Sequence, residues 1–212
     1  MPPIVSIIGK SKSGKTTLIE KLLQELKSRG YKVATIKHTD QKLTFDEPGK
    51  DSWRHTQAGS EASIISSQDK LVLIKPITEE PSLEQIARLA GEDYDLILTE
   101  GFSKGNAPKI EIRSKEAPSA TKKLIAIVSD EPLATKTRQF SPNDIKGLAD
   151  LLEQGFITPQ RERLSLYVNN TPISLSSFPR EIISNILLAL ASSLKGVKEI
   201  RSLELFLKRK SQ

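Results

Sequence analysis

The stretch "IVSIIGKSKSGKTTLIEKLL", residues 4–23, decides the fold of the first half of this chain. Residues 4–8 are a β-branched apolar run, the mark of a buried strand. Gly9-Lys10-Ser11-Lys12-Ser13-Gly14-Lys15-Thr16 then matches G-x-x-x-x-G-K-[ST] in full. From Thr16 onward Leu18, Ile19, Leu22, Leu23 and Leu26 recur at helical spacing, and Lys27, Arg29 and Gly30 give a cationic last turn and a glycine stop. Glycines let the loop bend so that successive N–H groups face one point, Lys15 reaches the β/γ-phosphates, and the Thr16 hydroxyl takes one Mg²⁺ coordination place. The start of the helix adds its positive end. Three lysines and no carboxylate in such a loop call for a strongly negative guest, a nucleoside triphosphate.

Residues 32–37 (KVATIK) read as a second strand, so the order strand–loop–helix–strand implies a parallel sheet with a right-handed crossover. Further strands are expected at 62–66, 70–75, 95–99, 109–113 and 123–128, and helices at 82–90 and 142–154. That alternation predicts an α/β three-layer fold with a mostly parallel sheet over residues 1–158. Residues 38–60 read as one long polar loop, a kind of segment that usually carries function. Around "ITPQRER", residues 157–163, composition turns polar, and 164–212 read as a small separate α+β extension. Leu164, Leu166 and Val168 alternate ahead of an Asn169-Asn170 turn, a helix spans 178–194, and Leu203, Leu205 and Leu207 suggest a last strand. The expected extension is therefore ββαβ, too small to cover its own apolar helix face, which points to dimer contacts or partner docking.

The 212 residues contain no cysteine and two histidines, which excludes a disulfide frame, a thiolate zinc site and a His-rich metal site. The N-terminus lacks the charged start and apolar h-region of a secretory signal, and no apolar run approaches the ~20 residues of a membrane helix, so the expected location is cytoplasmic. A net charge of +6 suits phosphate ligands as well as nucleic acid. Aromatics at 5% leave few stacking platforms, which argues against nucleic acid.

Phosphate loops of this kind need a carboxylate at the end of a neighbouring strand for the metal. "YDLILTEGF", residues 94–102, ends an apolar strand in Glu100, which takes that role or merely ends the strand. Asp130, after the strand at 123–128, either pairs with the N1 and N2 hydrogens of guanine or caps the turn before Pro132. Trp53 lies in a basic-acidic cluster of the long loop; it anchors that loop, or the loop is a cover that brings Asp51, Arg54 or His38 toward the phosphates. Besides a nucleotide-driven adapter, the residues leave open an ATP-using kinase or ligase of a small metabolite.

The stretches "IIGKSKSGKTTLIEKLL", "GYKVATIKHT", "FDEPGKDSWRHTQAGS" and "YDLILTEGF…PKIEI" together resemble the molybdopterin-guanine dinucleotide biosynthesis protein B family, MobB, over about residues 4–155. The resemblance implies a GTP-binding, slowly hydrolysing P-loop protein, a homodimer, that assists attachment of GMP to molybdopterin beside the guanylyltransferase MobA. It carries Gly14, Lys15, Thr16 and Thr17 over to phosphate and Mg²⁺ binding and Glu100 to the acidic position after the strand. Gly9, Lys12 and Ser13 belong to the same loop, and Asp51 and Arg54 to the family's loop motif. Two departures stand out. Asp40-Gln41-Lys42 replace a histidine-rich continuation after KHT, and the tail from about residue 160 lies beyond the minimal family domain.

Overall fold

In the computed structural model, residues 1–39, 46–113, 121–160, 163–169 and 171–207 are described. The chain divides into two units, Pro2–Gln160 and Arg161–Gln212 with Met1.

In the first unit β1 (Ile4–Gly9) runs into α1 (Lys15–Ser28), whose Leu18, Ile19, Leu22 and Leu26 are buried at the spacing the sequence shows. β2 (Val33–Lys37), β5 (Leu96–Glu100), β6 (Lys109–Ile112), β7 (Leu124–Val128) and β8 (Arg138–Phe140) join β1 in one six-stranded sheet of order β2-β5-β1-β6-β7-β8. Every pairing in it is parallel. Strands flanked on both sides must be apolar on both faces, which explains the unbroken runs IVSII and LILT. Val5, Ile7, Leu96, Leu98, Ile110, Ala126 and Val128 pack with α1 and with Leu148, Ala149 and Leu152 of α4 (Ile145–Leu152). Ile8, Ile97 and Ile127, of the opposite register, lie outside that cluster, as do Leu83 and Ala87 of α3 (Leu83–Ala90). The protein is α/β with a parallel sheet, as the strand–helix alternation predicts.

Three features depart from the expected layout. The strands at 62–66 and 70–75 form as β3 (Ser63–Ser66) and β4 (Leu71–Ile74), but they pair with each other in an antiparallel hairpin outside the main sheet. Their link is too short for a parallel crossover, which needs a dozen or more residues. Ser67 closes it instead, its N–H donating to the Lys70 carbonyl at 2.8 Å. Second, the long polar stretch contains a helix, α2 (Asp51–Gln57), with an acid in its first turn and Arg54 and His55 in its last. Third, β8 is a three-residue strand that the sequence did not announce.

The second unit holds a hairpin of β9 (Leu166–Val168) and β10 (Thr171–Ile173), followed by α5 (Ser177–Ser192). Asn169, at φ 49°, takes the left-handed conformation a tight turn requires. The strand expected at Leu203, Leu205 and Leu207 does not form: residues 202–207 carry no strand, and those leucines are 45–80% exposed. The extension is ββα over the described residues, since alternation in the sequence does not supply an edge to pair with. Lys208-Arg209-Lys210 and the Asp40-Gln41-Lys42 departure lie outside them.

Candidate functional site

The loop between β1 and α1 is shaped by its glycines. Gly9, at φ +149°, lies so close to β6 that a Cβ there would meet the Ile112 carbonyl oxygen at 2.7 Å and Ser13 Oγ at 2.8 Å. Gly14 sits at φ +91° with nothing within 4 Å of where a Cβ would be, and it is the N-cap of α1. Among the described residues no side chain caps that end and no acid lies in the first turn, so the leading N–H groups at Lys15, Thr16 and Thr17 have no side-chain acceptor at the cap. Lys12 is held at φ +60°, an uncommon conformation for a residue with a side chain. Ser13 Oγ is buried and makes no hydrogen bond among the described residues.

Lys15 folds back over the loop, its Nζ donating to the carbonyls of Lys10 at 2.6 Å and Gly9 at 3.1 Å. Both acceptors are neutral, so a phosphate oxygen would displace them with a stronger, charge-assisted bond. The Thr16 hydroxyl donates to Glu100 Oε2 at 3.0 Å. β5 makes this possible. It lies beside β1 with Glu100 in register with Ile7, so the carboxylate emerges at the strand ends next to the loop. Lys37, at the end of β2, stands 3.9 Å from Glu100 Oε1. Thr16 and Glu100 thus present two hard oxygens side by side, the donor set that Mg²⁺ takes from a protein when phosphates and water fill its other places. The residues fit the ion. Among the described residues no group of three His, Cys, Asp or Glu side chains gathers for a protein-only metal site.

Of the remaining predicted residues, His38 stands at the same sheet edge, its backbone N–H donating to the Glu100 carbonyl at 3.0 Å. His38 contacts the Phe102 ring at 4.8 Å and its Nε2 meets Glu80 Oε1 at 2.6 Å. Gly101 holds φ +104°, a conformation side-chain residues rarely adopt, and a Cβ there would come within 3.2 Å of His38 Cβ. Asp51 and Arg54 face each other on α2 at 3.8 Å, both largely exposed. Asp130 is exposed beyond β7, two strands from β1. Sequence reasoning missed Lys37, Glu80 and the close pair of Arg113 with Glu111 at the end of β6. The pair had a signal: Lys109, Glu111 and Arg113 put three charges on one face of a strand inside the sheet.

A parallel sheet carrying a glycine-bent loop and an uncapped helix end at its first crossover defines the class of P-loop NTPase-like α/β proteins. Within it, the sequence profile for "Molybdopterin guanine dinucleotide synthesis protein B" (MobB) matches residues 4–130. The chain belongs to the MobB family. It is 34% identical to the molybdopterin-guanine dinucleotide biosynthesis adapter protein of Haemophilus influenzae, over 71% of this chain and 88% of that one. It is 36% identical to the Escherichia coli protein of the same name, over 72% and 92%. A crystal structure of molybdopterin-guanine biosynthesis protein B matches at a TM-score of 0.59 and 32% identity, covering 71% of this chain and 97% of that one. Among the described residues no helix is long and apolar enough to cross a membrane.

Proposed function

We propose that this chain is a GTP-binding adapter of molybdopterin guanine dinucleotide synthesis, a slow Mg²⁺-dependent GTPase that acts as a homodimer beside a MobA-type guanylyltransferase. That enzyme attaches GMP to molybdopterin. The observation that carries the reading is the hydrogen bond from Thr16 to Glu100, which joins the phosphate loop to an acid 84 residues away. In this reading the uncapped amides of α1 and the Lys15 ammonium hold the β- and γ-phosphates, and Thr16 and Glu100 hold the ion. Bound Mg²⁺ neutralises charge on the phosphate oxygens. Asp130 is the residue proposed to read guanine. Slow turnover belongs to this reading through the family resemblance. P-loop proteins without an arginine at the γ-phosphate hydrolyse GTP at about 10⁻⁴ s⁻¹.

Competition of GTP against ATP, with and without Mg²⁺, followed by phosphate release over hours, tests this. GTP is expected to win, with Mg²⁺ strengthening binding and release staying slow. Lys15→Ala is expected to weaken GTP binding by about 100-fold, since it removes charge-assisted bonds to phosphate. Glu100→Gln is expected to remove most of the Mg²⁺ dependence while keeping metal-free binding. Unchanged affinity in Lys15→Ala overturns the site. Preference for ATP with rapid transfer to an added metabolite overturns the adapter in favour of a kinase.

A further inference from the structure

Lys109 opens β6 with only 1% of its surface exposed. Its Nζ donates to the carbonyls of Gly105 at 2.6 Å, Ala107 at 3.0 Å and Lys122 at 3.4 Å. All three acceptors are neutral, so among the described residues the hydrogen bonds are satisfied while the charge is not. Glu111, two residues on along the same strand face, is already paired with Arg113. Burial and the neighbouring Lys123 ammonium both push the Lys109 pKa down. An ammonium out of water is expensive unless something negative answers it.

The cavity beside it measures about 420 Å³, and Lys104, Lys122 and Lys123 join Lys109 in its wall, with Asn106 and Thr121 adding polar groups. No carboxylate lines it among the described residues. One residue of its wall, Lys123, holds left-handed backbone at φ 58°. Lys123 is fixed there by its carbonyl, which accepts from the Lys109 N–H at 2.9 Å. Such strain gathers where a backbone is shaped around a ligand. This pocket lies at the amino ends of β6 and β7, whereas the phosphate loop lies at the carboxyl end of β1. Lys109 pairs with Ser6, and Gly9 pairs with Ile112.

We propose that this pocket is a second anion site, separate from the phosphate loop, and that it takes the phosphate of a small organic phosphomonoester. A phosphate dianion answers the Lys109 charge and draws in the three exposed lysines, each a compact cation with rotatable donors. The cavity is several times the volume of a phosphate ion, which leaves room for the ester's organic part, as ligand pockets of this size do.

The test is a residue-resolved amide NMR titration of the full chain at constant ionic strength, with inorganic phosphate in one arm and phenyl phosphate in the other. Saturable shifts are expected at residues 103–107 and 121–124, with phenyl phosphate binding more tightly. The double variant Lys104→Ala/Lys122→Ala changes exposed side chains only, and it is expected to weaken binding about tenfold with the rest of the spectrum unmoved. Shifts confined to residues 9–17, shifts linear in concentration, or equal shifts in the variant overturn the site. Equal affinity for the two probes overturns the organic ester and leaves a site for free phosphate. Because the two sites report on different amides, this result is independent of whether the phosphate loop binds GTP.

Discussion

The unit from Pro2 to Gln160 and the unit from Arg161 to Gln212 draw on the same leucines and isoleucines and do opposite things with them. In the first, Val5, Ile7, Leu22, Leu26, Leu96 and Leu98 have no exposed surface. In the second, Ala191 is the one buried residue among those described, while Ile186 and Leu190 are each 61% exposed. Apolar content is therefore not a measure of core. A six-stranded sheet with α1 and α4 against one face encloses its side chains. A two-stranded hairpin followed by one helix has too few surfaces to do so.

Leu22→Ala tests the enclosed side of that contrast and has the largest expected effect. Leu22 is wholly buried on α1 within the main cluster. Truncating it removes the transfer energy of the lost methyl groups and leaves a void, at a cost of about 2–5 kcal/mol. Denaturant unfolding followed by hydrogen exchange at β1 and β5 amides measures it. A loss under about 1 kcal/mol would mean that the cluster around Leu22 collapses into the gap, and the contrast between the units would weaken.

The same difference explains what could be read from the chain in advance. β1 and α1 were legible because period and motif agree over residues 4–26 and because burial of Leu18, Ile19, Leu22 and Leu26 follows that period. The position of Glu100 was legible too, since an acid ending an apolar parallel strand must lie at the sheet's carboxyl edge. The hairpin of β3 and β4 was legible as two strands but not as a separate sheet. Residue pattern reports that a segment extends, and its partner is set by the length of the link at Ser67–Lys70. α2 escaped because none of its seven residues is buried, so no apolar stripe marks it. Lys37 and Glu80 escaped for a different reason: each acts through a residue far away in sequence, Glu100 and His38, and only the assembled edge brings them together.

A second test sharpens the enclosed side by asking what ties its rim. Arg29, at the end of α1, is clamped by Glu25 at 2.8 Å and by Asp150 and Glu153 at 2.6 Å. The Tyr31 hydroxyl donates to the other Glu153 oxygen at 2.7 Å. The Tyr31 hydrogen bond first, and Arg29 second, hold the Glu153 carboxyl below its ordinary pKa of 4.5. A carboxylate depressed in the folded state contributes stability in full above its unfolded value. That contribution is lost as pH falls through the folded value. The midpoint of unfolding is therefore expected to fall from about pH 5 downward. Glu153→Gln is expected to flatten that part of the curve, because the amide cannot titrate. An unchanged pH slope in Glu153→Gln would assign the acid sensitivity to other carboxylates.

Leu190→Ala has the smallest expected effect and bears directly on the open side of the contrast. Leu190 stands in a stripe with Ile182 and Ile186 along α5, each at least 41% exposed. Little apolar area leaves water there when the chain folds, and alanine favours the helix slightly more than leucine, so stability should move by no more than about 0.5 kcal/mol. The measurement is denaturant unfolding at two protein concentrations a hundredfold apart. A cost above about 2 kcal/mol that grows with concentration would show the stripe covered by a second copy, since association stabilises by mass action. A large cost independent of concentration would mean the stripe is covered from within the same chain, and the contrast between the two units would fail.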